Sequence, residues 1–222
     1  MATILALDVA TEACSVALCH QGRYYSRFGV MPRQHARCLL PMVREVLDEA
    51  GITRSVLDAV AFGRGPGAFT GVRIAVAVAQ GLAFALDKPV LPVCELAVLA
   101  QQAVRLHGVS QVAAAIDARM GEVYWGSYRH QHGRLTLMGE EAVLPPEAAR
   151  LAGDGPWYGA GTGWQYAGQL PATELGCDAQ MLPHAEDVLS LALVAWQRGE
   201  AQPVEQAQAV YLRDQVATVK GS

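Results

Sequence analysis

The chain contains no CxxC pair, no cluster of basic residues and no uninterrupted apolar run of membrane-spanning length. Its five cysteines, Cys14, Cys19, Cys38, Cys94 and Cys177, are odd in number and scattered. That pattern excludes a zinc ribbon and fits reduced, mostly buried thiols in a cytosolic protein. A formal net charge of -4 with no Lys/Arg cluster argues against tight nucleic-acid binding by this chain alone, because such affinity comes from neutralising phosphates. If RNA is the substrate, a partner must supply the basic surface. Met1 to Leu5 carries no basic segment ahead of an apolar one, so neither a signal nor a transit peptide is expected. Val72 to Leu86 is broken by Arg73, Gln80 and Gly81 and is shorter than the roughly 20 residues of a spanning helix, so no membrane anchor and a cytoplasmic location are expected. There is no GxSxG nucleophile elbow and no GxxxxGKS/T phosphate loop.

What is present is ample apolar material, 52% of 222 residues, enough for one large domain or two small ones, and a unit written twice. Thr3 to Asp8 reads as an apolar strand ending in a carboxylate, with Cys14 to Cys19 as a second strand and His20-Gln21-Gly22-Arg23 as a turn. The pattern returns as Val112 to Asp117, then Glu122 to Tyr128, then His130-Gln131-His132-Gly133-Arg134 turning into Leu135 to Leu137. The Asp8 to Gly22 and Asp117 to Gly133 spacings nearly match, so a duplicated β-meander is the simplest account.

Helical and parallel-strand patterns follow each meander. Ala36, Leu39, Leu40, Val43, Val46, Leu47 and Ala50 mark one face of an amphipathic helix closed by Gly51. Asp58 to Phe62 reads as a buried strand, Gly71 to Leu86 as a helix and Val90 to Val93 as a strand. Further on, Pro145 to Ala149 reads as a helix start, Trp157 to Gly159 as a short strand and Glu186 to Trp196 as the last helix. Repeated βββαβα units imply an α/β fold of two ribonuclease-H-like lobes, each a mixed sheet with helices. The lobes are expected at 1–107 and 108–222, with the C-terminal helix free to pack back on the first.

Between the strand ending at Phe62 and the following helix lies Gly63-Arg64-Gly65-Pro66-Gly67-Ala68-Phe69-Thr70-Gly71-Val72-Arg73. Its glycines permit tight turns and Thr70 is placed as a helix N-cap, leaving backbone N–H groups that could hold an anion. Asp8, Gly65, Gly67, Thr70, Gly71 and Arg73 are thus candidate phosphate or nucleotide contacts, the rival reading being a loop needed for packing. No ribose-binding acid is placed for a dinucleotide fingerprint.

The string GPGAFTGVR closely resembles the GPG(S/A)FTG(L/V)R signature of the TsaB (YeaZ) family. Ala6-Leu7-Asp8 with Thr11, Ile116-Asp117-Ala118-Arg119 with Glu122-Val123-Tyr124, and Tyr211-Leu212-Arg213 match its other landmarks. The resemblance covers essentially the whole chain. It implies a duplicated fold of the actin-like ATPase superfamily and a place beside TsaD, the paralogue that transfers threonylcarbamoyl from its adenylate to the adenosine next to the anticodon in tRNA, with the ATPase TsaE as third member. tRNA would be met only through that complex. Ala209 departs from the proline often found before Val-Tyr-Leu-Arg.

The resemblance also implies what is missing. TsaD carries a His-x-x-x-His metal pair on its first helix; here His35 is followed four residues on by Leu39, so no metal and no catalytic residue are expected. His130 and His132 lack neighbouring ligands and read as a surface turn. Asp8 and Asp117 stand at strand ends but without consecutive glycine-rich phosphate turns, which favours a structural role at the lobe junction. Gly159-Ala160-Gly161-Thr162-Gly163 reads equally as an adenosine-binding turn or a plain loop. No resident cofactor is expected, with weak ATP or ADP binding at a lobe or complex interface left open.

Helix 71–86 is apolar nearly all round and must be covered on more than one side. Ala75, Ala79 and Ala83 at i, i+4 spacing would allow a second helix to approach closely. Family resemblance makes the first two helices the expected contact with TsaD or with a second copy of the chain. His35, Leu39, Val43, Val72, Val76, Ala79 and Ala83 are the expected interface residues. The rival readings are an autonomous actin-like ATPase or small-molecule kinase, and a peptidase-like protein.

Overall fold

The computed structural model describes residues 2–213. The first sheet holds β1 (Ile4–Asp8), β2 (Ala13–His20), β3 (Arg23–Val30), β4 (Ala59–Gly63) and β5 (Val90–Val93) in the order β3-β2-β1-β4-β5. The meander is antiparallel, whereas β4 and β5 run parallel to β1. The second sheet repeats this with β6 (Gln111–Arg119), β7 (Glu122–Gln131), β8 (Arg134–Leu137), β10 (Tyr158–Ala160) and β11 (Cys177–Asp178), ordered β11-β10-β6-β7-β8; β9 (Ala142–Leu144) pairs with β7. Read from the third strand of each, both sheets have one topology, so the duplication seen in the sequence is a duplication of fold.

The two meander turns agree in backbone detail. Gln21 and Gly22 have φ of 49° and 77°, and His132 and Gly133 have 51° and 74°. Two successive left-handed residues make the hairpin turn whose twist matches that of the flanking strands. His132 therefore has a backbone role in an exposed turn.

Helices α1 (His35–Ala50) and α2 (Phe69–Leu86) cover one face of the first sheet. α1 buries Leu39, Met42, Val43, Val46 and Leu47 and ends at Gly51, whose φ of 68° closes the helix. Leu40, expected on the buried face, points to solvent. α2 starts two residues before the expected Gly71. By length and composition it is apolar enough to cross a membrane, with a mean hydropathy of 1.7, but it lies along the sheet on the edge formed by Gly71, Val72, Ala75, Ala79 and Ala83.

The remaining helices exchange partners. α3 (Glu95–His107), which follows β5, packs mainly on the second sheet through Leu96, Leu99, Ala100 and Ala103. α4 (Ala185–Gln197), which follows β11, returns to the first sheet through Ala185, Val188, Leu189 and Ala192. α3 and α4 meet between the sheets, where the Arg105 guanidinium donates twice to the fully buried Asp187 carboxylate, at 2.9 and 2.7 Å. Removing the cation would strand a charge in the core, so Arg105→Ala is expected to cost about 3 kcal/mol. A urea midpoint that does not move would contradict this.

Among the described residues the second lobe has no counterparts of α1 and α2. The helix expected from Pro145 is only a three-residue 3-10 turn at Pro146–Ala148. The outer face of the second sheet is covered instead by Trp125, Trp157, Trp164 and Leu170. Each indole N–H donates to a backbone carbonyl, of Arg150, Gly153 and Ala113 respectively. A few large aromatic rings supply the apolar cover that two helices give the first lobe.

Candidate functional site: an inter-lobe cleft and an exposed helix face

The ends of β1 and β6 and the start of α2 border a cleft of about 890 Å³ between the lobes, within the size range of small-molecule sites. The two strand-end carboxylates that sequence reasoning paired behave differently. Asp117 lies on the cleft wall and binds Arg119, accepting from its backbone N–H at 3.0 Å and its guanidinium at 3.1 Å. Thr162 Oγ1 accepts from the Asp117 N–H at 3.1 Å. Asp8 is 1% exposed and is not part of the wall. Its Oδ1 accepts from the Ala10 N–H at 2.9 Å, and its Oδ2 has no hydrogen-bond donor. Burial pushes its pKa up to about 6, against the lowering effects of the Ala10 N–H and of Glu95.

The glycine loop is packed against the chain's own backbone. A side chain at Gly71 would overlap the Val9 carbonyl and one at Gly67 the Ala10 carbonyl. The Ala68 N–H donates to the Ala10 oxygen at 2.7 Å. Gly65, at φ 100°, approaches Val210 so closely that a Cβ would stand 2.9 Å from its carbonyl oxygen. Thr70 is not the N-cap: the cap is Ala68, without a side-chain bond, and Thr70 is exposed inside the first turn. Of the candidate phosphate contacts, Gly67 and Arg73 reach the cleft wall, whereas Asp8, Gly65, Thr70 and Gly71 do not. The Gly159–Gly163 turn is also close-packed, Gly161 and Gly163 lying against Ala115 and Gly159 against Trp164.

The segment 207–213 runs from α2 to the second lobe, and its Tyr211 and Arg213 line the cleft. Gln80 donates to the Ala207 carbonyl at 2.8 Å, the Val210 N–H to Arg64 O at 2.8 Å, and Arg213 pairs with Glu122 of the second lobe. Arg73 lies over the Phe69 ring, 3.1 Å from its centroid, and 5.0 Å from that of Tyr211. Tyr211-Leu212-Arg213, noted in the sequence, thus joins the lobes.

The expected interface residues separate by burial. Leu39, Val43, Val72, Ala79 and Ala83 are fixed inside the first lobe, so they are corrected from contact residues to core; the small alanines let α2 approach its own sheet. Val76 and His35 are half-buried. The solvent face of α2 is formed by Ala77, Gly81, Phe84 and Ala85, with Leu40 of α1 also exposed. Phe84 is 76% exposed and nothing lies within 4 Å of a Cβ built on Gly81. The stripe of α2 singled out by sequence periodicity is the one packed on the sheet, and the opposite stripe is open to solvent.

Sequence reasoning also missed Glu95, a fully buried carboxyl at the start of α3. Beside it, Cys94 donates to Glu141 Oε1 at 2.8 Å, and the Tyr128 hydroxyl donates to the same oxygen. Burial first, and then the Glu141 charge, push the Cys94 thiol up, which leaves it protonated and unreactive. Among the described residues no group of three or more His, Cys, Asp or Glu side chains could hold a metal ion.

Two lobes of one topology, facing each other across a cleft, define a duplicated ribonuclease-H-like α/β fold of the actin-like type. A family model described as TsaD, tRNA N6-adenosine threonylcarbamoyltransferase, matches residues 20–217. The chain is 44% identical to the tRNA threonylcarbamoyladenosine biosynthesis protein TsaB of Escherichia coli (strain K12), covering 98% of this chain and 97% of that protein. It is 37% identical to the Haemophilus influenzae protein of the same name, covering 98% and 96%. The solved structure described as YeaZ from Pseudomonas aeruginosa superposes with a TM-score of 0.94 at 62% identity, covering 96% of this chain and 100% of that one. The chain belongs to the TsaB (YeaZ) family.

Proposed function

We propose that this protein is a non-catalytic subunit that docks a TsaD-type paralogue and activates it for N6-threonylcarbamoyladenosine formation in tRNA, in the cytoplasm. A TsaE-type ATPase is the third component, and tRNA is met through the complex. One observation carries the docking reading: α2 presents Ala77, Gly81, Phe84 and Ala85 to solvent on a helix whose other side is already buried. A helix apolar on both sides needs two partners, and the sheet supplies one. A non-catalytic role is supported by Asp8, which is sealed away from the cleft, and by Leu39 in the core where the metal-binding paralogue has histidine. Size-exclusion chromatography of this chain mixed with the TsaD-type paralogue should give a stable heteromer, and two separate peaks at micromolar concentrations would oppose the proposal.

A second reading, weak ATP or ADP binding, is favoured by the cleft volume and by Arg73 on its wall. It is compatible with the first, since a nucleotide held there need not be turned over by this chain.

A further inference from the structure

We propose that Asp8 and Glu95 share a single proton and form a latch at the hinge between the lobes. The latch holds the first turn of α3 against the end of β1 while that proton is present and releases it when both carboxyls are charged. The inference rests on position. Asp8 ends the central strand of the first sheet, whereas Glu95 opens α3, the helix that leaves the first lobe to cover the second sheet. Glu95 lies directly against Gly63 at the end of β4, where any side chain would overlap its Oε1. The Glu95 N–H donates to Gly65 O at 3.0 Å and the Arg64 N–H to Val93 O at 2.8 Å. Glycine loop, β1 and α3 therefore converge on this pair.

Both residues are at most 1% exposed. Apart from the Ala10 N–H on Asp8 Oδ1, their carboxyl oxygens have no donor: Asp8 Oδ2 and both Glu95 oxygens are buried without a partner. Two facing carboxyls with no other donor are stable only if one carries the proton the other accepts. The neighbouring titratable groups do not offer an alternative. From β2, Cys14 has its thiol pushed up to about 12, by burial first, and stays neutral, as does Cys94 at the N-cap of α3. Cys38 of α1 stands behind Cys14. Glu141 and Tyr128 of the second lobe bind each other and Cys94. Arg64 follows Gly63, and its buried Nε has no acceptor.

Burial, followed by the neighbouring Asp8 carboxylate, raises Glu95 well above the usual carboxylate range, while Asp8 rises to about 6. Both are acids whose folded values exceed their unfolded ones. Their stabilising protonation is therefore complete below the unfolded value and is lost as pH rises through the folded one. For Asp8 that loss runs from 3.8 to about 6, leaving one proton on the pair. The last proton leaves only at higher pH, and its loss opens the latch.

The test is hydrogen exchange at the Arg64, Glu95 and Val98 amides, corrected for the intrinsic pH dependence of exchange, in wild type, Glu95→Gln and Asp8→Asn. Wild-type protection at these amides should fall by roughly tenfold per pH unit while the closed pair keeps its last proton and the opened pair does not, the slope of a one-proton linkage, and should level off once that proton is lost. It should stay flat in both variants, where an amide replaces the shared proton, and amides in β6 and β7 should show no such fall in any form. Infrared spectra of the wild type near neutral pH should show a protonated carboxylic acid that is absent in Glu95→Gln. Should either variant fail to fold, the infrared titration of the wild type decides alone. No protonated acid at neutral pH, or the same slope in Glu95→Gln as in wild type, overturns the proposal.

Discussion

Gly81→Glu is expected to abolish complex formation with the TsaD-type paralogue while leaving the chain folded. The position is open, with nothing within 4 Å of a built Cβ, and it lies within α2. There the loss of a helical glycine gains about 0.5–1 kcal/mol of helix propensity. The carboxylate would stand among Ala77, Phe84 and Ala85, where a docked partner must strip it of water without supplying a cation. A desolvated, unpaired charge costs several kcal/mol, or more than about a hundredfold in affinity. Phe84→Ala should weaken the same complex by about 2 kcal/mol, as expected for a large aromatic at the centre of an interface. Ala79→Glu behaves differently, because Ala79 is fully buried against the sheet; that change should unfold the first lobe. Calorimetric titration against the paralogue, with circular dichroism on each variant, separates the cases. Wild-type affinity in folded Gly81→Glu would place the interface elsewhere.

Gly71→Val is expected to lose about 3 kcal/mol of stability, because the new side chain meets backbone and cannot turn away. Val9 carbonyl and Ala10 Cα lie in its path, and both belong to the turn that joins β1 to β2 in the middle of the sheet. Gly81→Ala, ten residues along the same helix, should be neutral or stabilising, which controls for helix propensity. If urea denaturation finds the two variants within about 0.5 kcal/mol of each other, close packing is not what the loop glycines provide.

These contrasts bear on how far the sequence could be read. The duplicated meander was legible because a strand, a carboxylate and a glycine turn recur at matching spacing, and both sheets follow it strand for strand. Turn chemistry of a polar residue followed by glycine is local, so the backbone at Gln21–Gly22 and His132–Gly133 agrees between lobes. α3 was not legible. Only Cys94 separates it from β5, no side chain caps its start, and it lies between two sheets, so it shows no clean polar face. The absence of outer helices on the second lobe was equally hidden, since Pro145-Pro146-Glu147 has the local form of a helix start while three tryptophans from separate elements cover the sheet.

For the site, sequence pattern identified α2 as a helix with two faces to cover but could not say which small-residue stripe met the sheet. Ala75, Ala79 and Ala83 alternate with Ala77, Gly81 and Ala85 at the same spacing, and only packing assigns the first set to the core. Asp8 was recognisable as a strand-end acid, but its seal was not. Glu95 reads locally as an ordinary first-turn acid compensating a helix dipole, and it stands far along the chain from the carboxyl it faces. Such pairings arise from topology, which one sequence reveals only where an element repeats.

The account depends on the chain acting through a partner and performing no transfer itself. The most direct measurement is reconstituted N6-threonylcarbamoyladenosine formation on tRNA by the TsaD-type paralogue and the TsaE-type ATPase, with and without this protein. Modification should require the chain, be lost with Gly81→Glu and persist with Asp8→Asn. Equal modification in its absence, or modification by this chain without the paralogue, would contradict the account.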